Sequence, residues 1–293
     1  MAVAVGMLVI RAAAPAFCAG QASESPIELV RRTVQREIAP GNSSAKAIYT
    51  DRKETQHRSQ TELVVETKQG TAEILVNLNG KALSPQQQQT EDTRLSELAN
   101  NPEALRKKQK SDREDSERTT RIMKALPDAF LYEPEGTEVG SQEMGRAGAP
   151  LVRLKFRPNP QYTPPSHVEE VLTTMQGYIL IDAEQHRVAK IDGTLSKDVG
   201  FGWGILGRLD RGGHFLVQQA EVIKGDWEIT RMTLTFKGKE LLFKRISIES
   251  DEVFSNFRPA PANLTFAQGV DLLKKQEAQL AENRQQPEGD KSK

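Results

Sequence analysis

Residues 151–157 read LVRLKFR, and their alternation limits the fold more than any other feature. Val152, Leu154 and Phe156 point to one side; Arg153, Lys155 and Arg157 point to the other. That period belongs to a strand with one dry face and one wet face. The pattern returns in Tyr178–Asp182 and Val188–Leu195 around an AEQH turn. It returns again in Phe215–Ile223 and in Trp227–Phe236, where Met232, Leu234 and Phe236 share a face. Lys224-Gly225-Asp226 and Lys237-Gly238-Lys239 read as turns, and Leu241–Ile248 follows with Ile246 and Ile248 on one side. Strands joined by such short turns pair antiparallel. Too little helical pattern remains in this half to cover both faces of a parallel sheet.

The first half adds strands and the helices. SESPIELVRRTVQREI predicts a helix capped by Ser25, with Pro26 at its first position. Ile27, Val30, Val34 and Ile38 form its apolar stripe. Ala45–Arg58 is extended, and Leu63–Val65 and Ile74–Val76 flank the hairpin loop Lys68-Gln69-Gly70. Asn79-Gly80 makes a tight turn. Residues 84–120 are a highly charged insert, nearly free of large apolar side chains apart from Leu95, Leu98 and Leu105. Alternating acids and bases suit a solvated helix with i,i+4 pairs. The insert is read as a helical surface excursion, with a lid over a cavity as the alternative. Ile122, Met123, Leu126, Phe130 and Leu131 read as buried, and Val168–Leu172 as a short helical stretch. The tail from residue 266 is amphipathic at first and ends in a polar, disordered EGDKSK.

Both ends differ in character from the middle. Residues 1–20, MAVAVGMLVIRAAAPAFCAG, carry one charge, Arg11. The run has the length of a secretory leader's apolar region and is short for a bilayer span. Small residues Cys18 and Gly20 precede a cut before Gln21, although no basic residue precedes the apolar run and Arg11 interrupts it. Phe17 stands where a lipidation signal needs a small residue ahead of Cys18. The reading is an exported chain of the bacterial periplasm, cysteine-free once processed, and so without disulfides or thiol chemistry. The domains expected are a leader at 1–20, a half-barrel domain at 21–265 with insert 84–120, and a helix and tail at 266–293.

Chemical signatures are few. Gly202-x-Gly204-x-x-Gly207 in GFGWGILG has dinucleotide-fingerprint spacing. The fingerprint needs a strand before it and a long helix after it; here Arg211-Gly212-Gly213 breaks any helix at once. The glycines instead let the backbone bend while Phe201, Trp203, Ile205 and Leu206 fill a core or line a pocket. His57, His167, His186 and His214 stand apart, with no ligand spacing for a metal, and no nucleophile motif occurs. Asp182, Asp192 and Asp198 lie on or beside one hairpin and read as solvated turn residues, a paired-carboxylate site being the alternative. Lys+Arg and Asp+Glu are both 40, so charge gives no reason to expect nucleic acid. The basic face of residues 153–157 lacks a stacking platform for bases. No cofactor is expected.

The run GYILIDAEQHRVAKIDGTL resembles the strand pair of the LolA-like superfamily, which includes outer-membrane lipoprotein carriers and the N-terminal part of the RseB/MucB sigma-factor regulators. Val199–Leu209, Phe215–Glu221 and LLFKRISIESDEVFSNFR resemble an uncharacterised secreted bacterial branch of that type. Asn79-Gly80-Lys81-Ala82-Leu83-Ser84 and the insert at 85–120 match it as well. The resemblance covers roughly residues 25–258 and implies an unclosed β-barrel around a helical lid, with an apolar cavity that in the carriers holds acyl chains. No carrier functional residue matches by position.

The fold expected is therefore mainly β (α+β): a curled antiparallel sheet of about eight to ten strands, forming an unclosed barrel with an N-terminal helix and a helical insert as lid. The function expected is non-enzymatic binding of a lipid acyl chain or lipoprotein lipid. Its apolar pocket candidates are Phe201, Trp203, Leu206, Phe215, Trp227, Met232 and Leu234. The alternative is an envelope sensor or scaffold that binds a protein partner.

Overall fold

The computed structural model describes residues 24–39, 46–201, 207–240 and 244–285. The leader with Cys18, the loop residues Trp203, Ile205 and Leu206, and the EGDKSK tail lie outside them. Helix α1, Pro26–Glu37, begins as its sequence predicts: Ser25 accepts a hydrogen bond from the Glu28 N–H, Pro26 opens the first turn, and Val30 and Val34 are buried. Three strands follow, β1 Ala47–Thr55, β2 Ser59–Thr67 and β3 Gly70–Leu78, then a two-residue strand, β4 Lys81–Ala82. Asn79 and Gly80 both have positive φ, the geometry of a two-residue hairpin turn.

The insert forms α2, Pro85–Asn100, and α3, Pro102–Ala129. Ser84 and Gln87 make a capping box at α2, and Asn101 caps α3. At the far end of α3 the carbonyls of Leu126, Asp128 and Ala129 are taken by the Tyr132 hydroxyl, the Asn159 amide and the Asn159 N–H, which satisfies groups a helix end otherwise leaves bare. The remaining strands are β5 Phe130–Val139, β6 Pro150–Pro158, β7 Met175–Asp182, β8 Arg187–Leu195, β9 Val199–Phe201, β10 Gly207–Leu209, β11 His214–Ile223, β12 Asp226–Glu240 and β13 Lys244–Pro259; a 3-10 stretch, Glu169–Thr173, precedes β7. Helix α4, Phe266–Gln285, ends the described chain.

Among the described residues, all 13 strands belong to one antiparallel sheet. Its main path runs β4-β3-β2-β1-β13-β12-β11-β8-β7-β6-β5, with β10 beside β12 and β9 beside β10. The sheet is curled and does not close, and the fold is α+β. The strand count exceeds the eight to ten expected, partly because β4, β9 and β10 are pairings of two or three residues, too short to show a period. A second correction concerns Lys237-Gly238-Lys239. It is no turn: β12 runs straight through it, and Arg208 and Leu209 pair with Lys239 and Gly238. A Cβ on Gly238 would stand 2.0 Å from the Arg208 carbonyl oxygen. The glycine is there for the close approach of β10.

Besides a smaller buried cluster of Leu151, Leu180, Ala189 and Trp227, two helix-covered cores sit on this sheet. One packs α1 and the end of α3 against β5–β8 through Val30, Val34, Leu126, Phe130, Leu154, Phe156, Ile179 and Ile181. The other packs α2 and α4 against β1–β3 through Ile48, Leu63, Val65, Ile74, Leu95, Phe266 and Leu273. The cores lie on opposite faces. Ile48 and Thr50 alternate with Tyr49, and the register carries the Thr50 face through Ser255 and Asp251 to Thr233, Leu216, Asp192 and Tyr178. Ile179 and Ile191, in the α1 core, point the other way.

Helix α3 links the two cores. Near its start Leu105 joins the α4-side core and Gln109 donates to the Gln69 carbonyl; its last turns join α1. Its 28 residues span about 42 Å at the usual helical rise. Residues 110–119 are exposed all round, as expected for a helix that bridges through solvent. The insert is thus helical, but it is not a solvated excursion throughout: Leu95 is fully buried. Leu131, expected inside, is 36% exposed, because Phe130 takes the inward position where β5 begins.

Candidate functional site

On the α1 face, the register lines up apolar residues beyond the reach of the α1 core. Phe215 stands opposite Leu234, Val217 opposite Met232, and Phe236 opposite Ile248. Ile246 lies across from Gly238. Val217 is also opposite Ile191 of β8, so this strip continues the floor of the α1 core. The helices make their main contacts with β2, β3, β5 and β8. Phe215 packs against the α1 core; Met232, Leu234 and Phe236 are half-buried, and Ile248 is 44% exposed. The result is an open apolar strip across β11, β12 and β13.

The same face turns acidic toward β1 and β2. Met232 is opposite Glu252, which pairs with Lys53. Next come Asp51 and, opposite it on β2, Glu62. Burial, with repulsion from Glu252, pushes Asp51 up to about 6. Burial, with repulsion from Glu73 and Asp51, pushes Glu62 up to about 7.

The structure brings together three of the candidates, Phe215, Met232 and Leu234. Trp227 is elsewhere: it is buried with Leu151, Leu180 and Ala189, and the Arg187 guanidinium lies 5.5 Å from its ring centroid. Phe201 contributes its backbone to β9, and Trp203 and Leu206 lie outside the described residues. GFGWGILG itself is flanked by a hairpin, with Phe201 paired to Gly207 and Val199 to Leu209. A strand follows Gly207 where a nucleotide fingerprint requires a helix.

The three aspartates do not form a pair. Asp182 is fully buried and takes two hydrogen bonds from Arg146, so the solvated-turn reading fails for it. Asp192 accepts from the Tyr178 hydroxyl and pairs with Lys190 and His214, while Asp198 accepts from the Arg211 N–H. Among the described residues, no group of three His, Cys, Asp or Glu side chains could hold a metal, and no helix is long and apolar enough to cross a membrane.

Sequence reading missed a second concavity. The loop between β5 and β6 crosses the opposite face and is pinned there: Gly145 donates to Gln219 and accepts from Glu221, and the Thr230 hydroxyl donates to the Glu143 carbonyl at 2.6 Å. Between this loop and β11–β13 lies a cleft of about 1130 Å³, lined in part by Gln142, Arg146, Gln218, Arg231 and Phe254. Its walls come from a loop and strands far apart in the chain, so no local motif announces it.

No family model matches the chain, and no curated protein matches it. Solved structures similar to it include the following two. One is a DUF1329 family protein from Desulfovibrio piger, 11% identical, with 84% of this chain and 97% of that chain covered at a TM-score of 0.27. The other is MucB in complex with MucA(peri), 9% identical, with 80% of this chain and 99% of that chain covered at a TM-score of 0.21.

Proposed function

We propose that this chain is a non-enzymatic binding protein of the bacterial periplasm that holds an acyl chain, free or borne on a lipoprotein, along the open strip of the α1 face. The observation that carries the reading is the row Phe215, Val217, Met232, Leu234, Phe236 and Ile248, continuous with the α1 core and only half-covered. The strip favours an elongated apolar ligand laid on a sheet over one sealed in a cavity. Each methylene removed from water there contributes up to about 0.8 kcal/mol. The leader-like residues 1–20 support export. Lipids co-purifying with the full chain, expressed with its leader, are extracted and weighed by mass spectrometry. A stoichiometric acyl species, lost in the Met232→Glu/Leu234→Glu variant, is the expected result. A wild-type protein free of lipid removes the proposal.

The cleft on the opposite face favours a second reading, an envelope sensor or scaffold that seats a partner's polypeptide. Its polar and aromatic lining suits peptide better than an acyl chain. A photo-crosslinker placed at Gln218 tests it: one discrete protein adduct in the envelope supports it, and none removes it.

A further inference from the structure

Two side chains of α2 complete the hydrogen bonding of β3 where β4 stops. β4 covers only Asn77 and Leu78. Beyond it, the Leu75 N–H donates to the Glu91 carboxylate at 2.9 Å, and the Glu73 carbonyl accepts from the Arg94 guanidinium at 2.8 Å. A neighbouring strand would offer the same things, an acceptor for one N–H and a donor for a C=O two residues away. Glu91 and Arg94 hold each other through two hydrogen bonds of 2.8 and 2.6 Å. Burial works to raise the Glu91 pKa, yet the bonds from Arg94 and the Leu75 N–H keep it below the usual carboxylate range. The pair is set in place by Leu95, fully buried next to Arg94.

The two ends of the sheet's main path are guarded differently. Edge strand β5 carries Pro134 and a register break between Pro134 and Gly136, features that discourage strand addition. β3, GTAEILVNL, has no proline and a single charge, Glu73. Without α2 it would be an apolar edge with its hydrogen-bonding groups bare.

We infer that the Glu91–Arg94 pair is a side-chain stand-in for a strand, and that it masks the β3 edge against a second copy of this chain. The occupant follows from the edge itself. The backbone N–H and C=O groups that point outward along β3, among them the Leu75 N–H and the Glu73 C=O, can be met by the same groups of a second β3 running antiparallel, so two copies can join into one continuous sheet.

The test is the reversed pair Glu91→Arg/Arg94→Glu in the full chain. It keeps an ion pair on the helix but turns donor toward N–H and acceptor toward C=O. Light scattering over a concentration series and hydrogen exchange at the Leu75 amide are read beside wild type. The expected result is a mass that climbs toward twice the wild-type value as concentration rises. At low concentration, exchange at Leu75 should be about tenfold faster, the factor equivalent to ~1.4 kcal/mol. Wild-type mass and wild-type exchange would overturn the inference. If the reversed pair fails to fold, Glu91→Ala/Arg94→Ala replaces it with the same two expected readings. Leu95→Ala serves as the control: association there, without association of the pair variants, would assign the guarding to helix packing and also overturn it.

Discussion

The two cores differ in what they cover and in how they are fastened. The α1 core lies on one face of β5–β8, and the α4 core lies on the opposite face of β1–β3. Each end of the sheet is thus roofed by helices on one side only, and the roofed side changes between the ends. The strands between, β11–β13, receive neither roof on the α1 face, and there the apolar strip is open. Fastening differs too. α1 is tied by Glu37, which accepts from the Val188 N–H at 2.8 Å and pairs with Arg187, both side chains under a tenth exposed. α4 is tied to α2 by Lys274–Asp92, whose side chains are 32% and 44% exposed, and by the close seat that Gly269 allows. There a Cβ would meet the Thr67 methyl at 2.7 Å. A sheet this long can therefore keep two separate dry regions, one held partly by buried charge and one mainly by apolar contact.

Truncating each core is the strongest way to break that comparison. Phe156→Ala and Phe266→Ala should each cost about 3–5 kcal/mol. If the continuous strand pairing couples the cores, both variants shift one thermal transition, as read by calorimetry. A separate early transition in Phe266→Ala alone would show the α4 end to be an independent unit. The fastenings are next in size. Arg187→Ala should cost about 3 kcal/mol, because it takes the guanidinium away from the buried Glu37 carboxylate; Lys274→Ala should cost less than about 1 kcal/mol. Burial, the largest influence on Glu37, already pushes its pKa up against the pull of Arg187. Equal losses in the two variants, measured by urea unfolding, would erase the distinction between them.

An effect confined to one pH window concerns the acidic end of the open face. Asp51 and Glu62, raised to about 6 and about 7, bind more protons in the folded chain than in the unfolded one between the usual carboxylate range and about pH 7. Stability therefore falls as pH rises across that window. Asp51→Asn/Glu62→Gln should raise stability at pH 8 by about 1 kcal/mol, allowing for screening of part-exposed groups, and change little at pH 4. A gain of equal size at both pH values would mean that packing, not charge, is responsible.

Alternation made β6, β7 and β8 legible from sequence alone, because their two faces meet opposite environments. The Ser25 cap and the Asn79-Gly80 turn were legible because local chemistry decides them. What stayed hidden depends on approach between distant segments. Gly238 between two lysines has the composition of a turn, and nothing near it reports the Arg208 carbonyl. Asp182 beside a turn looks solvated until Arg146, brought in by the β5–β6 loop, reaches it. Of the candidate strip, Met232 and Leu234 were visible as one face of a strand. Trp227 stands an odd number of residues from both Met232 and Leu234, so alternation does not put it with them, and it is buried instead with Leu151, Leu180 and Ala189.

The exposed stretch of α3 has a consequence for the integrity of the chain. Residues 110–119 touch neither core and include Lys110, Arg113 and Arg118, so a trypsin-like protease finds its sites on a helix that little but its own hydrogen bonds protects. A cut there separates β1–β4 from β5–β13 in the chain. It does not separate them in space, because β1 pairs with β13 over residues 47–55 and 250–259. The first strand is knitted to the last, so the halves would stay associated after nicking. The middle of α3 is the natural place to divide this protein into two complementing fragments.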